Sequence, residues 1–375
     1  MKKVVIAIDS FKGCLPSVEA GKAAAEGIRS VYPECEVICL PIADGGEGML
    51  DVLIMATNGQ EVPISAHDPL MRWRNTYYGI SENEETAFIE MASISGLPLV
   101  PPERRNPMLT TTYGTGEIIR DALERGCRNF IIGIGGSATN DAGLGMLQAL
   151  GFRFSDKEGK EVGTGRGEVL IKVAHIDSTF VHPALNSCRF TVACDVQNPF
   201  YGPEGAAYVF APQKGADREM VEALDAGLQN FAEVIRHTTG KDISHHPGAG
   251  AAGGMGGSLL AFLNAELKPG IQLMLEALDF SNKIKSADLI ITGEGKADRQ
   301  TLMGKVPSGI LAEARKQNIP VILLAGNIED SDELQQAGFE GVFSVNPPFI
   351  SLEEAMRPEV ARKNIQQTVE SICKK

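Results

Sequence analysis

No run of eighteen apolar residues occurs in the 375-residue sequence, so no membrane-spanning helix is expected. The N-terminus carries Lys2 and Lys3, but its apolar stretch Val4–Ile8 ends at Asp9. That is too short for the hydrophobic region of a signal peptide, and a cytoplasmic location with no membrane partner is the expectation. None of the seven cysteines falls in a C-x-x-C pair, and their number is odd. They read as reduced thiols. The six histidines show no H-E-x-x-H or similar spacing, so no transition-metal site is predicted. Basic residues are in deficit: 35 Lys and Arg against 48 Asp and Glu, a net charge of −13. This argues against non-specific nucleic-acid binding. It leaves an anionic ligand open, because a few local N–H groups hold a phosphate whatever the net charge. Internal repeats and low-complexity tracts are also missing. What remains, 43% hydrophobic and 22% charged, is a soluble globular balance, and the length predicts two domains.

Glycine is plentiful. Its 41 residues gather in a few short runs, which mark backbone that must approach something closely. Val4–Ile8 is a continuous apolar run, as in a strand buried on both faces, and Val37–Ile42 is a second apolar run. Ser17–Tyr32 and Met49–Ala56 have helical spacing. The C-terminal third repeats the alternation: strand Leu289–Thr292, helix Val306–Lys316, strand Val321–Ala325, helix Asp332–Ala337, strand Gly341–Val345 and an amphipathic helix over Ala361–Cys373. Strands spaced by helices predict a parallel sheet with right-handed crossovers. The two chain ends supply about five strands, enough for one Rossmann-like doubly wound sheet. The middle differs. Glu61–Glu90, with turns at Asp68-Pro69 and Ser81–Glu84, predicts antiparallel hairpins. Then follow helix Thr115–Arg125, strand Asn129–Ile134, helix Asp141–Leu150, strand Val192–Asp195 and helix Met220–Thr238. The reading is an α/β protein: a Rossmann-like domain from residues 1–65 and 286–375, with an inserted mixed α/β domain over 66–285.

Four loops follow predicted strands or precede helices, where α/β folds bind ligands. Asp9-Ser10-Phe11-Lys12-Gly13 offers an acid, a hydroxyl and a cation, or an ordinary helix cap. Asp44-Gly45-Gly46-Glu47-Gly48 sets two glycines between acids, suited to Mg²⁺ or substrate hydroxyls, or to a tight turn. Gly133–Asp141 fits the loose G-x-G-x-x-A dinucleotide pattern, but its glycines and hydroxyls cradle any phosphate. Gly248–Gly257 reads as a second phosphate-contacting loop or as close helix packing. No Walker A motif exists, since Gly304-Lys305 leads into Val306 and has Arg299 where the first glycine belongs. Asp195, Glu294 and Asp298 add strand-end acids. Backbone donors, carboxylates and a cation are the inventory that phosphoryl transfer needs.

In this order the segments are specific. Ala7–Lys12, Pro41–Gly48, Phe88–Ala92, Gly114–Glu117, Gly133–Asp141, Ala193–Asp195, Pro212–Ala216, Gly250–Gly256 and Ile291–Gly295 together resemble the type-1 glycerate kinases of bacteria, end to end. The resemblance implies ATP-dependent phosphorylation of D-glycerate with Mg²⁺, in the cleft between a split Rossmann-like domain and an inserted one. It favours the 2-hydroxyl as acceptor, with the 3-hydroxyl as the other reading. Gly13, Ala142, Gly163–Gly167 and Lys296–Arg299 depart from the family pattern and bear on substrate preference more than on reaction class.

The roles expected under this resemblance are as follows. Gly135, Gly136, Ser137 and Asn140, with Gly253, Gly254 and Glu294, hold the nucleotide. Asp195 holds Mg²⁺, with Asp141 or Glu294 as a further ligand. Asp44 or Asp195 takes the hydroxyl proton. Lys12, Ser10, Asp9, Glu47 and Arg72 receive the substrate. The protein is expected as a monomer or homodimer. Two rival readings stand beside this one. An NAD-dependent oxidoreductase would use Gly133, Gly135 and Ala138 but needs an acid about 20 residues on; Asp156 lies near that distance in a polar turn. A non-catalytic small-molecule binding protein would bind ATP without consuming it.

Overall fold

The computed structural model describes every residue except Lys12, Glu47 and Lys375, so the expectations for Lys12 and Glu47 lie outside the described residues. The described strands are β1 (Lys3–Ile8), β2 (Glu36–Cys39), β3 (Gln60–His67), β4 (Trp73–Ile80), β5 (Thr86–Glu90), β6 (Asn129–Gly133), β7 (Arg153–Ser155), β8 (His175–Asp177), β9 (Arg189–Ala193), β10 (Glu266–Lys268), β11 (Leu289–Ala297), β12 (Val321–Ile328) and β13 (Gly341–Ser344). The chain divides into two compact units, Met1–Asp44 with Ile271–Lys375, and Gly45–Gly270.

The first unit is a five-stranded sheet in the order β13-β12-β11-β1-β2. Every pairing is parallel. The doubly wound Rossmann-like sheet built from both chain ends is thus present. The continuous apolar run of β1 is buried on both faces. Val4, Ile6 and Ile8 meet helix Ser17–Val31 and the C-terminal helix Pro358–Cys373, while helix Val306–Lys316 packs against the same sheet at β1, β11 and β12. The two helices on the first face approach closely through Gly27. A Cβ there would lie 2.5 Å from the Gln366 carbonyl, which is why a glycine tolerates its cost of about 1 kcal/mol in mid-helix. β11 runs five residues beyond the expected Thr292, because it stays in register with β12 as far as Ala297 opposite Ile328. Glu294 therefore lies on a strand rather than in a loop after one.

The second unit holds a six-stranded sheet, β10-β9-β6-β5-β4-β3. β5, β6, β9 and β10 are parallel. β3, β4 and β5 form the expected antiparallel hairpins. Helix Met49–Ala56 and β3 belong to this unit, since β3 pairs along its length with β4. A separate hairpin joins β7 to β8. Helix Arg218–Thr239 starts where Asp217 accepts the Met220 N–H at 2.9 Å and ends at Gly240, φ +75°. The helix expected from Asp141 begins only at Leu144. Ala142 and Gly143 sit at φ +53° and +73°, a left-handed conformation that a helix cannot include. Among the described residues no helix is long and apolar enough to cross a membrane.

Candidate active site

The first unit carries a cavity of about 340 Å³ at the carboxyl ends of β1, β11 and β12. Asp9, Ser10, Asp44 and Glu294 line it together, so the first and second sequence loops converge with the β11 acid. The convergence has a local cause. The Ser17 hydroxyl donates to the Ile8 carbonyl at 2.6 Å and accepts the Ile42 N–H at 3.0 Å. That ties the end of β1 to the segment leading to Asp44. Asp9 is buried, and its carboxylate accepts the Ser10 N–H at 2.7 Å. Glu294 is buried as well, and burial pushes its carboxyl up, opposed by a hydrogen bond with Thr301 and by the Lys305 ammonium. Lys305 Nζ lies 3.8 Å from Glu294 Oε2, while Oε1 is buried without a protein partner. Asp298 serves locally, accepting the Gln300 N–H at 2.8 Å as the cap of a short 3₁₀ turn.

In the second unit β5, β6 and β9 end in register, with Glu90 beside Gly133 and Gly133 beside Ala193. The Gly135-Gly136-Ser137 loop and Asp195 leave adjacent strand ends in the same direction. The Gly45-Gly46 turn lies against them. A Cβ on Gly133 would meet the Gly45 carbonyl at 3.0 Å, and one on Gly45 would meet Ala193 Cβ at 3.0 Å. At both positions only a glycine leaves room for so close an approach. Gly135 and Gly136 are exposed and Ser137 is buried. Asp195 is exposed, and its Oδ1 accepts the Gly270 N–H at 2.8 Å.

Beneath this loop lies a residue that the sequence reading did not single out. Lys214 is 2% exposed. Its Nζ donates to Ser137 Oγ and to the Thr139 carbonyl, both at 2.7 Å. Burial pulls its pKa down to about 7, opposed by the Asp141 carboxylate. The one available signal was its place inside the Pro212–Ala216 segment of the family pattern. Unfolded, a lysine keeps its proton up to about pH 10.4. Between about 7 and that value the unfolded state binds more protons, so raising the pH through this window favours the fold. Thermal melts of wild type and Lys214→Met between pH 7 and 9.5 check this. Wild type should gain on the variant by an amount on the order of a few kcal/mol; a constant difference would contradict it.

Asp141 is fully buried. It accepts the Thr112 N–H and hydroxyl, both at 2.8 Å, and the N–H groups of Gly143 and Gly145 at 3.2 and 3.3 Å. Burial raises its carboxyl and these four donors oppose that shift. Its oxygens hold the loop-to-helix turn. Asn140 is buried beside it, with its side-chain oxygen and nitrogen unpartnered. Gly253 and Gly254 pack under the same turn. Gly253 accepts the Ala142 N–H at 3.0 Å, and a Cβ on it would lie 2.1 Å from the Thr139 carbonyl. Both glycines are buried, and their close approach is to protein. Arg72 is pinned by Asp68, Nε to Oδ2 at 2.7 Å, with its side chain half exposed.

Among the described residues no group of three or more His, Cys, Asp or Glu is placed to share a metal ion. Mg²⁺ at phosphate sites needs only one or two carboxylates besides the phosphates. The exposed Asp195 fits that role; Asp141, its oxygens already taken by four donors, does not. The seven cysteines are free thiols. Asp156 closes its own turn by accepting the Glu158 and Lys160 N–H groups at 3.1 and 2.9 Å, which removes the acid that a dinucleotide reading requires.

The glycerate kinase family model matches residues 4–375. A glycerate kinase of Bacillus subtilis (strain 168) is 46% identical over 99% of this chain and 97% of its own. A glycerate 2-kinase of Escherichia coli (strain K12) is 47% identical over 95% of this chain and 93% of its own. A crystal structure of the Salmonella typhimurium LT2 protein provisionally named glycerate kinase 2 superposes with a TM-score of 0.90 at 44% identity, covering 100% of this chain and 97% of that one. The chain belongs to the glycerate kinase family.

Proposed function

We propose that the protein transfers the γ-phosphoryl of ATP to the 2-hydroxyl of D-glycerate, giving ADP and 2-phosphoglycerate. The observation that carries this reading is the exposed Gly135-Gly136 pair, followed by Ser137 held on the buried Lys214 and flanked by the exposed Asp195 at the next strand end. Exposed glycines let phosphate oxygens approach the backbone N–H groups. Lys214 fixes Ser137 from below, and the buried Gly253–Gly254 pair supports the turn. Asn140, with unpartnered polar atoms, is assigned to the nucleotide side of this loop. Asp195 would hold Mg²⁺, which on binding neutralises charge on the phosphate oxygens.

In the reaction the glycerate hydroxyl oxygen bonds to the γ-phosphorus, and the bond from that phosphorus to the β,γ-bridging oxygen breaks, leaving ADP. The hydroxyl proton passes to a carboxylate, Asp44 or Asp195. Asp9 and Ser10 are assigned as groups that meet ligand hydroxyls, since they share the cavity with Asp44 and Glu294. Arg72, held in place by Asp68, is the cation assigned to the substrate carboxylate.

ADP release measured with Mg-ATP against D-glycerate, L-glycerate and lactate tests the reading. Turnover should need both D-glycerate and Mg²⁺ and should stop with a chelator. ATP binding without ADP release for any hydroxy acid would instead mark a binding protein.

A further inference from the structure

We infer that the cavity of the first unit receives the adenosine part of ATP, with the base on its apolar wall and the ribose hydroxyls on its acids. The inference rests on the kinase reading above and adds where the nucleoside sits. Its position comes first. Counted within the unit the sheet runs 2-1-3-4-5, and its order reverses between β1 and β11. Open parallel sheets bind ligands outside the carboxyl ends of the strands at that reversal. The cavity is there, lined by Asp9 and Ser10 after β1 and by Glu294 on β11. At about 340 Å³ it falls in the size range of small-molecule sites.

Its chemistry is two-sided. One wall is apolar, with Phe11, Leu352 and Met356. Leu352 is 75% exposed and Met356 39%, so apolar surface stands in water where a flat ring can cover it. The other side is polar, with three carboxylates, Asp9, Asp44 and Glu294, and two ammonium groups, Lys296 and Lys305. Glu294 is only 6% exposed, yet its Oε1 has no protein partner. A buried carboxylate oxygen left unpaired calls for a hydroxyl donor, and a ribose diol supplies one without adding charge.

Cys14 lines the cavity and is partly exposed, so it reports occupancy in the intact protein. Alkylation followed residue by residue with mass spectrometry should show Cys14 labelling slowed at least about tenfold by ADP at ten times its dissociation constant. The exposed Cys39 should be unaffected. Tripolyphosphate should leave Cys14 labelling unchanged. Failure of ADP to protect, or protection by tripolyphosphate, overturns the inference. A second measurement uses Leu352→Glu, on an exposed side chain. It should raise the KM for ATP at least about fivefold with the KM for D-glycerate held; an unchanged KM for ATP overturns the inference. Absence of kinase turnover in wild type would defeat the proposed function, while ADP protection of Cys14 would still read out the cavity.

Discussion

Asp195→Asn should lower kcat with D-glycerate by at least ~10², the order of a general acid–base contribution, and leave the fold intact. The side chains are nearly the same size, and an asparagine oxygen can still accept the Gly270 N–H that Asp195 holds at 2.8 Å. What is lost is charge, at an exposed strand end beside the glycine loop. Both roles assigned to Asp195, metal ligand and proton acceptor, need that charge. The loss should therefore appear in kcat more than in the KM for D-glycerate. Asp44→Asn separates the two roles. Whichever variant abolishes the acid limb of the pH–rate profile has removed the base. Near-full turnover in Asp195→Asn would overturn both assignments.

The second large effect is on stability. Gly253→Ala should cost about 3 kcal/mol or more, lowering the melting temperature of the second unit by roughly 6–12 °C. Two causes add. The residue sits at φ +68°, where an alanine is strained. Its new Cβ would also lie 2.1 Å from the Thr139 carbonyl and 2.6 Å from Asn140 Cα. Those are backbone atoms and cannot rotate aside, so the Thr139–Ala142 turn must move. Gly159→Ala is the control. Gly159 sits at φ +79° with nothing within 4 Å of the added Cβ, so it pays only the conformational cost of about 1–2 kcal/mol. Differential scanning calorimetry of both variants checks the comparison. Equal shifts would mean that the packing against Asn140 contributes nothing.

Much of the fold is legible in the sequence because its signals are local. β1 reads as a doubly buried strand from Val4–Ile8 alone. Helices Met49–Ala56 and Val306–Lys316 match their spacing, and the hairpins over Glu61–Glu90 follow from their turn residues. The errors occur where distant residues decide. The helix after Asp141 starts late because Asp141 collects donors from Thr112, Gly143 and Gly145 and fixes Ala142 at positive φ. The same burial is why Asp141, which reads in sequence as an open carboxylate, has no oxygen free for a metal ion. β11 extends past Thr292 because β12 pairs with it. Lys214 meets Ser137 across 77 residues of chain, and no periodicity reveals such a contact. The glycine run Gly248–Gly257 has the composition of a ligand loop, but only the packed neighbours of Gly253 and Gly254 reveal its contacts.

The most direct test of the account is a phosphorus NMR spectrum of the protein incubated with Mg-ATP and D-glycerate. The prediction is loss of the γ-phosphorus signal, appearance of ADP in equal amount, and a phosphomonoester resonance matching 2-phosphoglycerate. A 3-phosphoglycerate resonance would overturn the choice of hydroxyl. ATP left intact, or converted to inorganic phosphate with no phosphomonoester, would contradict the kinase reading itself.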